Sequence, residues 1–281
     1  MQHNIPEKIK KRLTFNSKSE QIRKILKELD INTVCESAVC PNIYECFCHG
    51  HVTFMILGNR CTRNCRFCGV SPITESIPPD PKEPNNIARA VKMLNMQYVV
   101  ITSPTRDDLP DGGAEHFAAT TESIRRLNPS TKIELLIPDF QGNKKDLQTV
   151  FDAKPDVISH NIETIPSLYP SVRPSSDYQT SLDVLKTIKD NGFPTKSGFM
   201  LGLGETKEEI IKLLHSLKNS GCEYLVIGQY LKPSKDAVPV KEFVPEAVFE
   251  EYKVIGKSIG FKNIFAGIFY RSSYLAEQLL L

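Results

Sequence analysis

The sequence predicts an α/β fold: a partial (β/α)6 TIM-like barrel with an N-terminal and a C-terminal extension. Three observations carry that expectation. From His51 onward, short apolar runs of strand character alternate with amphipathic helical patterns, the rhythm of βα units that feed a parallel sheet. There are six such units, too few to close an eightfold barrel, so an open one is expected. The first strand is followed by a cysteine motif and not by the G-x-G-x-x-G turn that would favour a doubly wound sheet.

Taken in order, strands are expected over 52–57, 98–102, 133–137, 157–162, 195–203 and 224–229. Helices are expected between and after them, over 87–94, 114–127, 144–151, 181–191, 207–219 and 245–259. Residues 1–50 form an N-terminal extension with helices expected over 5–12 and 17–29, the second capped by Ser19. Residues 51–260 hold the barrel, and residues 261–281 form a tail. That tail carries one more apolar run, then Arg271-Ser272-Ser273-Tyr274.

Composition narrows the function. The 281 residues carry 35 Lys+Arg against 33 Asp+Glu, so no global basic excess points to nucleic acid or to a membrane surface. No apolar run approaches the roughly 20 residues that span a bilayer, and the N-terminus lacks the apolar stretch of a signal peptide. A cytoplasmic protein is the expectation. Of the eight cysteines, all but Cys222 fall between Cys35 and Cys68. Thiols stay reduced in the cytosol, so a cluster this dense points to metal binding and away from disulfides. Cys222, inside an apolar run, reads as a core residue.

Cys61, Cys65 and Cys68 form C-x3-C-x2-C directly after the first strand. Three thiolates on one short loop can hold three irons of a cubane cluster and leave the fourth iron open for a ligand. A zinc site would want a fourth Cys or His at matching spacing, which the loop lacks. Cys35, Cys40 and Cys46 form a different pattern, C-x4-C-x5-C, which suggests a second cluster with its own task. Cys48, two residues further, is expected to be structural.

The second motif, with Phe67 before its last cysteine, resembles the signature of the radical S-adenosylmethionine superfamily. The chain as a whole resembles lipoyl synthases from about Val34 to Ala276. The resemblance is carried by Cys35-Glu36-Ser37-Ala38-Val39-Cys40-Pro41-Asn42, Phe54-Met55-Ile56-Leu57-Gly58, Arg106-Asp107-Asp108-Leu109-Pro110-Asp111-Gly112-Gly113, His160-Asn161-Ile162-Glu163-Thr164, Gly202-Leu203-Gly204-Glu205-Thr206, Gly228-Gln229-Tyr230-Leu231 and Arg271-Ser272-Ser273-Tyr274. It departs from the family pattern at Phe47, where a Trp is usual, at Pro104-Thr105, at Asp236-Ala237 and at Ile268.

The resemblance implies an enzyme with two [4Fe–4S] clusters. One, on Cys61, Cys65 and Cys68, binds S-adenosylmethionine and splits it to a 5′-deoxyadenosyl radical. The other, on Cys35, Cys40 and Cys46, donates sulfur. Two sulfur atoms then enter a protein-bound octanoyl chain at C6 and C8. Those C–H bonds carry no acidic proton, so acid–base chemistry cannot reach them. The implied partners are octanoylated lipoyl carrier domains, those of 2-oxo acid dehydrogenase acyltransferase subunits and of the glycine cleavage system, together with an electron donor. The resemblance also places the fourth ligand of the sulfur-donating cluster in the serine tail, with Ser273 expected. A serine oxygen is harder than a thiolate and suits a labile corner.

Asn161, Glu163, Arg173 and Lys196 are the candidate S-adenosylmethionine contacts: Asn161 and Glu163 end the fourth expected strand, where polar groups build such sites, whereas Lys196 starts the next run and could face elsewhere. Arg173 would suit the carboxylate of the methionine moiety. His160 is expected to be structural. Lys8, Lys10, Lys11 and Arg12 are expected to steer an acidic carrier domain. Two other readings stay open at this point. One is a different radical sulfur-inserting enzyme, of the biotin synthase or methylthiotransferase type. The other is an electron-transfer or zinc-structural protein.

Overall fold

The computed structural model describes residues 14–73 and 75–279. The helix expected over 5–12, and with it Lys8, Lys10, Lys11 and Arg12, lies outside the described residues. The chain runs α1 (Ser17–Glu28), β1 (Asn32–Thr33), α2 (Val34–Ser37), α3 (Ile43–His49), β2 (Thr53–Met55), β3 (Arg60–Cys61), β4 (Ser71–Pro72), α4 (Glu83–Met93), β5 (Tyr98–Thr102) and α5 (Ala114–Leu127). It continues through β6 (Lys132–Leu136), α6 (Lys144–Asp152), β7 (Val157–Ser159), α7 (Tyr169–Val172), α8 (Tyr178–Asp190), β8 (Thr195–Leu201) and α9 (Lys207–Asn219). The last elements are β9 (Tyr224–Gln229), α10 (Glu246–Ile259), β10 (Asn263–Gly267) and α11 (Ala276–Leu279).

The main sheet has the order β1-β2-β5-β6-β7-β8-β9-β10. Every neighbouring pair from β2 to β10 is parallel, and β1 pairs with β2 antiparallel. The two ends of this order do not pair with each other, so the barrel stays open. All six expected strands are present. A seventh parallel strand, β10, comes from the apolar run in the tail.

The strands alternate between two buried faces, as a period of two requires. Ile133, Leu135, Phe199, Leu201, Leu225 and Ile227 point outward and pack under the helices. Glu134, Lys196, Gly198, Val226 and Gly228 occupy the other parity. Lys196 Nζ reaches both Glu134 carboxylate oxygens, at 2.9 and 3.0 Å, across the intervening strand β7. The Ser159 hydroxyl of β7 donates to the same carboxylate at 2.8 Å, so all three side chains share one face, the one turned away from the helices, and this parity lines the barrel interior.

The N-terminal extension docks through α1. Ile22, Ile25, Leu26 and Leu29 recur at helical spacing, are buried, and join the same core as Phe47 of α3. Each such side chain contributes roughly 1.5–3 kcal/mol of burial. Phe47 is fully buried with the Arg23 guanidinium 5.3 Å from its ring centre, so the phenyl ring fills the position that a Trp usually occupies. The expected Ser19 cap is corrected. Asn16 is the N-cap and accepts the Ser19 backbone N–H at 2.9 Å, while the Ser19 hydroxyl accepts the Asn16 N–H at 3.1 Å. Ser19 therefore closes a capping box from the third helical position.

Candidate active site

The first cysteine station is the loop after β2. Its backbone is held from both sides at Leu57, a non-glycine residue at φ +66°. The buried Glu83 carboxylate accepts the Leu57 N–H at 2.7 Å, and Arg106 Nη1 donates to the Leu57 carbonyl at 3.1 Å. These contacts offset the strain that a left-handed conformation costs a branched side chain. The short β3–β4 ladder then closes residues 60–72 into a lobe, with Cys61 opposite Pro72.

Inside the lobe, backbone N–H groups point at sulfur. Thr105 and Arg63 donate to Cys61 Sγ at 3.3 and 3.4 Å, and Val70 donates to Cys68 Sγ at 3.4 Å. Donors of this kind favour a charged, metal-bound thiolate. Without metal, burial pushes the Cys68 thiol up to about 12 and also raises Cys65. Metal coordination is what would deprotonate them.

Arg63, between the first two cysteines of the motif, is clamped. Its guanidinium meets Asp107 at 2.8 and 3.0 Å and Asp139 at 2.5 and 2.6 Å. Burial opposes ionisation of Asp139, but the Arg63 guanidinium beside it wins and holds the carboxyl down to about 2. Sequence reasoning missed this clamp. Arg63 sits inside the metal loop, Asp107 is in the Arg-Asp-Asp motif, and Asp139 follows a barrel strand, which together were the available signal.

Phe67 packs against Val172, Leu203 and Tyr230 and anchors the far side of the lobe. Asn161, Glu163 and Arg173 follow β7 and gather beside the lobe. Arg173 Nη1 donates to the Asn161 and Ile162 carbonyls, each at 3.2 Å, and to the Tyr169 hydroxyl at 3.0 Å. Burial raises the Glu163 carboxyl, while Arg173 and a hydrogen bond from Asn161 pull it back. Lys196 lies elsewhere, fully buried on Glu134 in the barrel interior. His160 is buried and neutral at pH 7: burial lowers it to about 4, and Nδ1 meets the Ile137 carbonyl at 2.9 Å.

Three buried polar atoms here have no hydrogen-bond partner among the described residues: Ser103 Oγ, His160 Nε2 and Arg173 Nε. Buried polar atoms are normally paired; Ser103 directly follows β5 and His160 directly follows β7, while Arg173 directly follows α7 and donates back to the Asn161 carbonyl. They fit a polar ligand such as S-adenosylmethionine.

The second station is a small cavity that opens to solvent. Cys35, Cys40, Cys46, Arg271, Ser273 and Tyr274 are among its walls. Three short devices shape it. Thr33 caps α2, accepting the Glu36 N–H at 3.2 Å, and so starts the helix that carries Cys35. Val39 turns the chain at φ +51° ahead of Cys40. Asn42 Nδ2 donates to the Phe269 carbonyl at 2.7 Å, and the Tyr274 hydroxyl meets Glu45 Oε1 at 2.7 Å, which ties α3 to the tail. Burial pushes the Cys35 thiol up to about 12, so it too needs metal to ionise at neutral pH.

The remaining cysteines lie apart. Cys48 is two positions from Cys46 on α3, about 200° around the helix, and its Sγ approaches the Thr14 carbonyl at 3.5 Å. Cys222 is fully buried and donates to the Tyr224 carbonyl at 3.2 Å. Among the described residues, no three His, Cys, Asp or Glu side chains converge tightly enough to hold a single metal ion. A cubane asks for something different, since each thiolate binds its own corner iron.

The serine tail separates its two hydroxyls. Ser273 lines the cysteine cavity, whereas Ser272 Oγ donates to Asn161 Oδ1 at 2.7 Å, on the side of the cysteine lobe. Arg271 lines the cavity as well and lies close enough to Cys40 and Glu163 to interact electrostatically with both.

An open parallel barrel with three thiolates on the loop after its first parallel strand defines the class: an iron–sulfur barrel enzyme of the radical type. The family described as the Radical SAM superfamily matches residues 55–217. A lipoyl synthase of Caldicellulosiruptor saccharolyticus is 53% identical over 280 residues, which covers 99% of this chain and 98% of that protein. A lipoyl synthase of Chlorobium phaeobacteroides is 47% identical over 277 residues, covering 98% and 96%. The chain belongs to the lipoyl synthase family of the radical SAM superfamily. Solved structures share the fold at low identity. Methylornithine synthase matches with a TM-score of 0.56 at 13% identity, covering 92% of this chain and 83% of that one. Streptococcus suis SuiB bound to S-adenosylmethionine matches with a TM-score of 0.57 at 14% identity, covering 81% and 53%.

Proposed function

We infer that this chain is the enzyme that inserts two sulfur atoms, at C6 and C8, into an octanoyl group carried on a lipoyl domain. The observation that carries the reading is the pairing of two separate cysteine stations on one barrel with near-full-length identity to lipoyl synthases. When bound, a cluster on Cys61, Cys65 and Cys68 together with S-adenosylmethionine supplies the radical that removes hydrogen from an unactivated carbon. A second cluster, held by Cys35, Cys40, Cys46 and Ser273, is a substrate of the reaction and the source of sulfur.

The protein's own residues bind and orient. The Arg63 clamp fixes the cysteine lobe. Phe67, Asn161, Glu163 and Arg173 contribute to the S-adenosylmethionine site, and the unpartnered Arg173 Nε and His160 Nε2 support that assignment. Assigning Ser273 as the fourth ligand is supported by its place in the cavity wall, while the Ser272 hydroxyl is engaged by Asn161. Lys196 is best read as an interior support, given its pairing with Glu134.

No helix among the described residues is long and apolar enough to cross a membrane. The enzyme works in the cytoplasm on octanoylated carrier domains of 2-oxo acid dehydrogenases and of glycine cleavage, with an electron donor. The test is anaerobic incubation of the reconstituted protein with S-adenosylmethionine, a strong reductant and an octanoylated lipoyl-domain peptide. Mass spectrometry should find two sulfurs gained, with two hydrogens lost from carbon. Formation of 5′-deoxyadenosine without any sulfur gain would refute the reading. For the tail, Ser273→Ala should change the absorbance of the N-terminal cluster and block sulfur insertion. If Ser272→Ala does so and Ser273→Ala does not, the ligand is Ser272.

A further inference from the structure

The two cysteine stations are linked through Asn161 and the serine tail. On the side of the cysteine lobe, Arg173 Nη1 donates to the Asn161 carbonyl at 3.2 Å, and its charge bears on both Cys65 and Glu163. Asn161 Oδ1 accepts from the Ser272 hydroxyl at 2.7 Å. Ser273, the next residue, is in the wall of the Cys35–Cys40–Cys46 cavity. The Ser272 hydroxyl fixes the orientation of the Asn161 amide by engaging its oxygen, which leaves the NH2 as the donor end.

The barrel is built to admit this link. A Cβ on Gly198 of β8 would meet Ser272 Oγ at 2.8 Å and Asn161 Oδ1 at 3.1 Å. A Cβ on Gly228 of β9 would meet the Tyr270 carbonyl oxygen at 2.2 Å. Neither glycine has a positive φ, so glycine is needed here for space and not for backbone freedom. Both side-chain positions belong to the interior parity, which brings the tail against the inner face of the sheet.

We propose that Ser272 is a positioning residue that holds Asn161 for S-adenosylmethionine, and that through it the sulfur-donor site and the S-adenosylmethionine site are thermodynamically coupled. The inference rests on the reading of Asn161 as part of the S-adenosylmethionine site. The tail segment has one set of contacts at each station. Filling the cysteine cavity, with Ser273 drawn to the cluster, fixes the backbone that presents the Ser272 hydroxyl. When the donor cluster has been consumed, that restraint is lost, Asn161 loses a fixed partner, and S-adenosylmethionine binds less well. The coupling is reciprocal by necessity. It would restrain cleavage of S-adenosylmethionine when no sulfur is at hand.

The test is calorimetric binding of S-adenosylmethionine, without reductant, to the anaerobically reconstituted full chain. Ser272→Ala should weaken binding about fivefold, the lower end of the usual range for coupled sites, with cluster content unchanged. The Cys35→Ala/Cys40→Ala/Cys46→Ala variant should weaken it by a similar factor. Combining the two should add little, because both act through one contact. Gly198→Ala, which intrudes on the contact without deleting either partner, should reproduce the loss. Wild-type affinity in Ser272→Ala, beside a clear loss in Asn161→Ala, would overturn the proposal and leave the site reading intact. Wild-type affinity in Asn161→Ala would overturn the site reading itself. A full multiplication of the two losses in the combined variant would overturn the coupling.

Discussion

Replacing Lys196 by Met separates an interior support from a cofactor contact. Lys196 and Glu134 are both fully buried, with Nζ 2.9 and 3.0 Å from the two carboxylate oxygens. The carboxylate also accepts from the Tyr98 hydroxyl at 2.6 Å and the Ser159 hydroxyl at 2.8 Å. Removing one partner of a buried pair costs about 3–5 kcal/mol, because the other charge is left in a medium that cannot solvate it. The two hydroxyl donors remain and temper the loss, so the expected value is near the lower end, about 3 kcal/mol. That is roughly a hundredfold in the folding equilibrium, since about 1.4 kcal/mol is a factor of ten. Adding Glu134→Gln should recover most of it, because the stranded charge is then gone. Guanidinium unfolding of the anaerobic holoprotein, followed by circular dichroism, reads the midpoints. An unchanged midpoint in Lys196→Met, or no recovery in the double variant, would refute the reasoning. If the midpoint held while S-adenosylmethionine affinity collapsed, Lys196 would be a cofactor contact.

Other outcomes follow from the same geometry. Changing Cys61, Cys65 and Cys68 to Ala should halve an iron content of about eight and abolish 5′-deoxyadenosine, whereas changing Cys35, Cys40 and Cys46 should halve the iron and leave cleavage detectable without sulfur insertion. Cys48→Ala and Cys222→Ala should each keep full iron, since one side chain points to Thr14 and the other to Tyr224; loss of half the iron in either variant would make that cysteine a ligand. The Asp139 carboxyl is held at about 2, below its ordinary 3.8, so its contribution to stability is complete above about pH 4 and is lost as pH falls toward 2. Stability of Asp139→Asn should therefore fall less steeply than wild type between pH 4 and pH 3 in acid unfolding, and parallel slopes would count against the clamp.

Much of the fold was legible because buried parallel strands write themselves as short apolar runs between helical patterns. The run around Ile264-Phe265-Ala266 was legible as apolar but not as a strand. It is brief and flanked by Asn263 and Gly267, and what makes it β10 is its pairing with β9 along five residues. Lys196 shows a different limit. At the start of a strand, away from the mouth, it could be expected to face elsewhere, but spacing alone does not reveal a partner that lies two strands away in the sheet. The cysteine groups were legible from spacing. That Ser272 and Ser273 serve different neighbourhoods was not, because consecutive residues in a tail have no intrinsic facing until another surface orients them.

That surface is the inner wall of the barrel, and it explains why an open sheet tolerates its gap. The edges β1 and β10 are bridged by side chains and not by a ladder. Asn42 bonds the Phe269 carbonyl, Tyr274 bonds Glu45, and His51 stands 3.6 Å from Glu277. Residues 35–49 and 269–277 thereby close over the gap together, and the cavity between them is where Cys35, Cys40, Cys46 and Ser273 meet. A closed eightfold barrel would fill this space with side-chain layers. Leaving the barrel open, with Gly198 and Gly228 clearing the wall, lets one tail reach both stations, so the separation of the two sites is set by the fold of a few residues and not by a flexible linker.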